Sequence, residues 1–133
     1  MQRICFELAV SPSRLDDYRE RHAAVWPAML REIEASGRRN YSLFLRPDGR
    51  LIGYSETDDA KASDAYLAAS PVAADWEREM APFFQNLDGR PDQGATVIPE
   101  IFNLADQLAA VPASEANTRS HDHTRKTGRP TND

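Results

Sequence analysis

The amino-acid sequence predicts an α+β fold, in which one antiparallel sheet carries two helical segments on one of its faces. Residues 2–10 alternate between apolar and more polar side chains, which is typical of a half-buried strand. Residues 11–37 and 58–85 repeat apolar side chains at spacings of three and four, which indicates helices with one buried face. Residues 40–57 contain two strand-like runs around a Pro-Asp-Gly-Arg hairpin turn. With a last strand over 97–104, the order is β-α-β-β-α-β, the ferredoxin-like sandwich.

The first helical segment carries its own start, break and stop signals. Ser11 is a candidate N-cap before Pro12, and Gly37 is a natural C-terminal stop. Pro27 should kink or break the segment near Trp26. The residues predicted to share the apolar face are Leu15, Tyr18, His22, Val25, Met29 and Ile33.

The second half of the chain also carries signals for helix starts, loops and strands. Ser70-Pro71 restarts the helical pattern in 58–85, and residues 86–96 form a long loop rich in turn residues. Pro99 indicates an edge or the start of a strand. The apolar face of this second segment contains Val72, Trp76, Met80 and Phe83 or Phe84.

The length of 133 residues suits one domain, and 41% hydrophobic against 28% charged residues allows a packed core. The composition changes near residue 105. Residues 106–133 contain almost no large apolar side chain after Leu108, so they cannot bury enough surface to offset their ordering entropy. We therefore expect a folded domain over 1–105 and a disordered polar tail over 106–133.

Charge and composition exclude several classes of function. A formal net charge of −5 argues against binding to nucleic acid through phosphate contacts. The single cysteine, Cys5, rules out an intrachain disulfide framework and a cysteine-rich zinc site. No apolar run approaches the ~18 residues needed to span a bilayer, and the N-terminus lacks a signal-peptide cleavage pattern. We expect a cytoplasmic protein that does not bind membranes.

The predicted fold leaves the sheet face opposite the helices uncovered. A second copy of the sheet is the simplest cover for such a face, so the fold predicts a homodimer.

Three side chains could carry chemistry. His22 is the only histidine before the tail, and it shares a helical face with Tyr18, four residues earlier. Spacing alone fits a core histidine, but histidine also suits a general acid or base, since its ordinary pKa lies near neutral pH. Tyr41 opens the second strand and is either an ordinary strand aromatic or part of the same pocket.

Two tryptophans and a glutamate are further candidates. Trp26 lies at the predicted break and fits a packing anchor. Trp76 has core-like spacing, although a tryptophan at a pocket mouth can stack on the apolar face of a sugar. Glu77 follows it and is either solvated or part of the pocket.

The sequence contains no motif for a common cofactor. It has no P-loop, no GxGxxG and no serine-centred hydrolase elbow. His121 and His123 form a short His-Asp-His run in the tail, but two histidines without a third ligand do not predict a metal site. Cys5 alternates with the apolar face of the first strand and has no histidine near it in sequence, so it fits a structural role.

The run Tyr18-Arg-Glu-Arg-His22-Ala-Ala-Val-Trp26-Pro27 resembles the Tyr-x-x-x-His-x-x-x-Trp-Pro signature of the L-rhamnose mutarotases. The resemblance continues through the strand at 40–45 and the helix around Trp76. It extends to a final Glu-x-Phe-x-Leu segment over 100–104, so it covers about residues 1–104.

The resemblance implies a dimeric α+β barrel of ferredoxin-like subunits that interconverts the α and β anomers of L-rhamnose without a cofactor. It implies that His22 is the proton donor and that Tyr18 and Tyr41 contact the sugar. The family carries two adjacent tryptophans on the second helix, and only Trp76 matches, since Glu77 occupies the second position. We expect both residues to bind substrate, with Glu77 affecting which sugar is preferred.

Two other functions fit the same fold, because ferredoxin-like dimers host many activities. A cofactor-independent oxygenase would have an apolar pocket without hydroxyl-binding groups. A small-ligand-binding dimer would bind its ligand without turnover.

Overall fold

The computed structural model of the protein describes residues 1–112. The strands are β1 (Gln2–Ala9), β2 (Arg39–Leu45), β3 (Arg50–Thr57) and β4 (Thr96–Ile98). The helices are α1 (Leu15–Ala23), α2 (Pro27–Ala35), α3 (Ala60–Ala69), α4 (Pro71–Met80), α5 (Pro91–Gly94) and α6 (Leu104–Ala110). Met1–Pro99 form one compact unit, and a second unit begins at Glu100.

The four strands form one antiparallel sheet in the order β2-β3-β1-β4. The register pairs Phe6 with Gly53 and Leu8 with Leu51, so the alternation of β1 places its large apolar side chains on one face. The ring of Phe6 lies over Gly53, where any Cβ atom would collide with it. The α+β ferredoxin-like fold predicted from the sequence is confirmed.

Proline divides each predicted helical segment into two helices. Pro27 opens α2 and Pro71 opens α4, each at the first helical turn, where its missing N–H is harmless. Ser70 caps α4, since its hydroxyl oxygen accepts a hydrogen bond from the backbone N–H of Ala73 at 3.1 Å. The predicted break near Trp26 and the restart at Ser70 are confirmed.

The hairpin between β2 and β3 turns at Gly49, which has a φ of +96° and lies against the carbonyl of Val10. A side chain at this position would be strained by the φ angle and would meet that backbone. The predicted turn is therefore confirmed.

The last predicted strand is wrong in its extent. β4 spans only Thr96–Ile98, and α6 follows at Leu104–Ala110, so the expected strand over 97–104 is mostly not a strand. The side-chain oxygen of Asn103 accepts from the N–H of Asp106 and caps α6. The first residues of the expected tail are helical. Residues 113–133, which make up most of the expected tail, lie outside the described residues, so the division into 1–105 and 106–133 stays a prediction.

The core of the first unit lies between the helices and one face of the sheet. Its buried apolar residues are Val10, Tyr18, Met29, Leu51, Leu67, Ala73, Trp76, Met80 and Phe83. The opposite sheet face carries Cys5 and Tyr54, which are cross-strand partners, and Phe44, whose side chain is largely exposed. Within residues 1–112, no helix is both long and apolar enough to cross a bilayer.

Candidate active site

A cavity of about 290 Å³ lies between the helices and the helix-covered face of the sheet. This volume is close to the lower end of the range of about 300–1,000 Å³ that is usual for small-molecule sites. The structure places all five predicted site residues in its lining: Tyr18, His22, Tyr41, Trp76 and Glu77. The cavity therefore combines apolar walls with a small number of titratable groups.

The first wall is formed by α1, where Tyr18 and His22 are one helical turn apart. Their rings lie 4.2 Å apart between centroids, and Tyr18 is buried against Phe83 and Phe84. The Nδ1 atom of His22 is 3.0 Å from the backbone carbonyl oxygen of Tyr18. Because a carbonyl oxygen only accepts, this contact assigns the proton of neutral His22 to Nδ1.

The tautomer leaves Nε2 of neutral His22 as a proton acceptor. No described residue forms a hydrogen bond with Nε2. Burial lowers the pKa of His22 below its ordinary value of 6.5, an effect only partly offset by the hydrogen bond to the carbonyl of Tyr18. At neutral pH this side chain is therefore mainly an unprotonated base with a free lone pair.

Trp76 links the two sides of the cavity. Its indole ring meets the ring of His22 at 5.4 Å and the ring of Trp26 at 5.0 Å, both close to perpendicular. Trp76 is buried, whereas Trp26 is partly exposed and is not in the cavity lining. Trp26 thus packs edge-on against Trp76 outside the cavity lining, and Trp76 in turn contacts the histidine ring.

Tyr41 lies on β2 at the floor of the cavity, next to Phe6 and Arg38. Burial raises the pKa of Tyr41, and the nearby guanidinium of Arg38 offsets part of this rise. Burial likewise raises the pKa of Tyr18 far above its ordinary value. Both hydroxyls therefore remain protonated at neutral pH and can donate hydrogen bonds to a ligand.

Glu77 lines the cavity from α4 and is only 9% exposed. Its Oε1 atom accepts a hydrogen bond of 2.9 Å from the backbone N–H of Asp92. Burial, followed by the charge of Asp92, raises the pKa of Glu77 to about 7. The prediction that Glu77 could simply be solvated is wrong, because its neighbours on α4 and in the 86–96 loop enclose it.

Three charged lining residues, Arg38, Asp64 and Asp92, were not identified from the sequence. Arg38 lies between α2 and β2, and its guanidinium is held by Ser63 at 3.0 Å and by Asp64 at 2.7 Å. Asp92 lies in the first turn of α5 and pairs with Arg90 at 2.7 Å. No sequence signal marked these residues, and Arg38 is held in the cavity by residues distant in the chain.

The arrangement can bind a small polyhydroxylated ligand and move protons on it. Protonated phenols supply donors, Trp76 supplies an apolar surface, His22 supplies a base, and Glu77 can accept or release a proton near neutral pH. The described residues contain no group of three or more His, Cys, Asp or Glu side chains that could hold a metal ion. The His121–His123 run lies outside the described residues.

Comparison with known proteins agrees with this arrangement. The sequence model of the L-rhamnose mutarotase family matches residues 3–104. A curated L-rhamnose mutarotase from Oceanobacillus iheyensis is 32% identical over 106 residues, covering 78% of this chain and 99% of that protein.

Solved structures show the same fold. An L-rhamnose mutarotase from Formosa agariphila aligns with a TM-score of 0.65 and 21% identity, over 78% of this chain and 99% of that one. A monooxygenase from Streptomyces coelicolor aligns with a TM-score of 0.54 and 13% identity, over 77% of this chain and 88% of that one. At these identities the structures support the fold alone, whereas the sequence matches are specific. The chain therefore belongs to the L-rhamnose mutarotase family.

Proposed function

We propose that this protein is an aldose mutarotase that interconverts the α and β anomers of L-rhamnose or a related 6-deoxy sugar. The observation that carries the proposal is the family match over residues 3–104, which includes all the residues that line the cavity. The relatives are named for this activity, and the cavity supplies the acid–base and hydroxyl-binding groups that the reaction needs.

Mutarotation requires two proton transfers on the cyclic sugar. The ring oxygen gains a proton while the anomeric hydroxyl loses one, the C1–O5 bond breaks, and an open-chain aldehyde forms. After rotation about the C1–C2 bond, the ring closes on the other face of the carbonyl carbon. General acid–base catalysis of this kind contributes about 10²–10⁴-fold.

We assign roles to the predicted site residues on this basis. His22 exchanges a proton with the reacting oxygens through Nε2. Tyr18 and Tyr41 donate hydrogen bonds to the sugar hydroxyls, because their raised pKa values keep them protonated. Trp76 packs against the apolar C5-methyl edge of the sugar, and Glu77 contacts its hydroxyl groups.

The polar lining weighs against an oxygenase. A flat aromatic substrate would suit an apolar pocket, whereas this cavity presents Tyr41, Arg38 and Glu77 together. The similarity to a monooxygenase structure, at 13% identity, concerns the fold only.

We also propose that the protein works as a homodimer in the cytoplasm. The sheet face opposite the helices carries the largely exposed Phe44, which a second sheet would cover. The single thiol, Cys5, is free, as is usual in a reducing compartment. Sedimentation equilibrium should give twice the chain mass of 14.9 kDa, and a monomer would remove the dimer from the proposal.

Exchange NMR on the anomeric protons tests the activity directly. The α/β exchange rate of L-rhamnose should rise in proportion to protein concentration. L-fucose, L-lyxose and D-glucose in parallel samples would rank the sugars. Sugar binding without faster exchange would favour a small-ligand-binding dimer without turnover. If a folded protein showed no binding and no faster exchange, the mutarotase proposal would be rejected.

A further inference from the structure

The carboxyl group of Glu77 lacks the partners that a buried charged group normally has. The side chain is 9% exposed, yet among residues 1–112 it forms a single hydrogen bond, which Oε1 accepts from the N–H of Asp92. No described residue forms a hydrogen bond with Oε2. Buried carboxyl groups are usually paired with a cation or fully hydrogen-bonded, because an ion without partners is costly in a low dielectric.

The nearby cations do not supply the missing partner of the Glu77 carboxyl group. Arg38 is bonded to Ser63 and Asp64, and Arg90 is bonded to Asp92. Both arginines act on Glu77 through their charge only. One oxygen of Glu77 thus anchors the side chain to the loop, while the other remains available in the cavity wall.

The position of Glu77 relates it to His22. Both side chains border the same cavity, and the ring of His22 contacts Trp76, the residue before Glu77. The charge of Glu77 also raises the pKa of Tyr18 and of Tyr41, and both tyrosines line the same cavity. A ligand in this cavity therefore has both His22 and Glu77 in the surrounding walls.

We propose that Glu77 is a second catalytic residue, which exchanges a proton with the substrate in partnership with His22. This inference rests on the proposed mutarotase function and assigns the group that the reaction needs besides His22. The pair is active when one of the two side chains is protonated and the other is not.

The proton balance closes over one cycle. Protonated Glu77 gives its proton to the ring oxygen while Nε2 of His22 accepts the proton of the anomeric hydroxyl. The C1–O5 bonding pair stays on O5, and the O–H pair forms the C1=O bond. After rotation about C1–C2, the carboxylate of Glu77 recovers the proton from the O5 hydroxyl as it attacks C1. The imidazolium of His22 then returns its proton to O1.

The same cycle can run with the donor and acceptor exchanged. If the shared proton begins on His22, the imidazolium protonates the ring oxygen and the carboxylate of Glu77 accepts the anomeric proton. This form agrees with the donor role that the family resemblance implies for His22.

The requirement for one proton on the His22–Glu77 pair sets the pH dependence of the exchange rate. The titratable and charged groups that line the cavity with Glu77 or act on its pKa are Tyr18, His22, Arg38, Tyr41, Asp64, Arg90 and Asp92. Below the lowered pKa of His22 both members are protonated and no acceptor remains. Above about 7, the pKa of Glu77, both are deprotonated and no donor remains. The rate should therefore pass through a maximum between these values.

The test compares Glu77→Gln with the wild type and with Glu79→Gln, a control on the same helix. Glu79 is half exposed and pairs with Arg21 outside the cavity lining. Anomer-exchange NMR with L-rhamnose from about pH 5 to pH 9 should show a loss of at least about 10²-fold in kcat for Glu77→Gln. The KM should change little, and the fall in rate on the alkaline side should disappear. Glu79→Gln should behave like the wild type.

The outcomes separate the two proposals. If the wild type accelerates exchange and folded Glu77→Gln keeps its kcat and alkaline fall, the role of Glu77 is overturned while the mutarotase remains. If the wild type accelerates no sugar, both are overturned.

A measurement on the wild type covers the case in which the variant does not fold. The ¹³C-carboxyl resonance of Glu77 should titrate near 7 and shift when L-rhamnose is added. Titration at the ordinary glutamate value of 4.5, insensitive to the sugar, would overturn the assignment.

Discussion

Two walls of the cavity hold their titratable side chains by different means. On α1, the helix itself fixes His22, since Nδ1 bonds the carbonyl of Tyr18 four residues earlier. On α4, the loop that follows fixes Glu77, through the backbone N–H of Asp92 fifteen residues later. The first arrangement forms whenever α1 forms, whereas the second requires the 86–96 loop to be folded in place. We expect the α1 wall to tolerate changes elsewhere and the α4 wall to depend on its loop.

The largest expected effect comes from breaking the α1 wall. His22→Gln keeps a polar side chain of similar size but cannot take up or release a proton at neutral pH. We expect kcat for anomer exchange to fall by about 10²–10⁴-fold, the range of a single general acid or base. The KM for L-rhamnose should change little if the tyrosines and Trp76 hold the sugar. Exchange NMR at saturating sugar measures the change, with circular dichroism as the check on folding. A folded variant with an unchanged rate would remove His22 from the mechanism.

The difference between the walls also explains what the sequence could predict. Alternation in β1, the prolines at 27 and 71 and Gly49 in the hairpin are local signals, and each gave the correct element. The placement of Tyr18 and His22 on one wall also follows from their spacing alone. These features need no knowledge of distant residues.

The features that the sequence did not predict depend on long-range contacts. Arg38 reaches the cavity because Ser63, 25 residues later, holds its guanidinium. Glu77 is held by the backbone N–H of Asp92, fifteen residues later, which its own neighbours in sequence do not indicate. β4 is short because only Cys5, Phe6 and Glu7 of β1 pair with it, although residues 97–104 have strand-like composition.

The second largest expected effect is on the free energy of unfolding, which should depend on pH through Glu77. Burial raises its pKa from 4.5 to about 7, so the folded protein holds this proton more tightly than the unfolded chain. The resulting stability is fully present below the unfolded value of 4.5 and is lost as the pH rises through about 7. The loss should reach about 3 kcal/mol by about pH 8, given ~1.4 kcal/mol per pKa unit.

Glu77→Gln should lack this loss, because an amide has no proton to release. Urea unfolding at about pH 5 and about pH 8 should therefore show the variant gaining about 2.5 kcal/mol over the wild type between these two pH values. Glu79→Gln, a change of the same kind at an exposed position, should gain less than about 1 kcal/mol. A constant difference between Glu77→Gln and wild type would mean that Glu77 does not titrate as a buried group.

The smallest expected effect comes from loosening the loop that supports the α4 wall. Arg90 joins this loop to the end of α3, since its guanidinium donates to the carbonyl oxygen of Leu67 at 3.3 Å and pairs with Asp92 at 2.7 Å. Arg90→Ala should cost about 1–2 kcal/mol of unfolding free energy, the usual value for a few partly buried charged hydrogen bonds. It should also lower kcat more than it raises KM, because Asp92 would no longer hold Glu77 in place.

Arg78→Ala is the matched control for the loop. Arg78 also pairs with a nearby aspartate, Asp75 at 2.8 Å, but it lies exposed on α4. Its loss should change stability by less than about 0.5 kcal/mol and leave the rate unchanged. Urea unfolding and exchange NMR on both variants measure the contrast. Equal effects in the two variants would mean that Glu77 is positioned by α4 alone, and the two walls would then be held by the same local means.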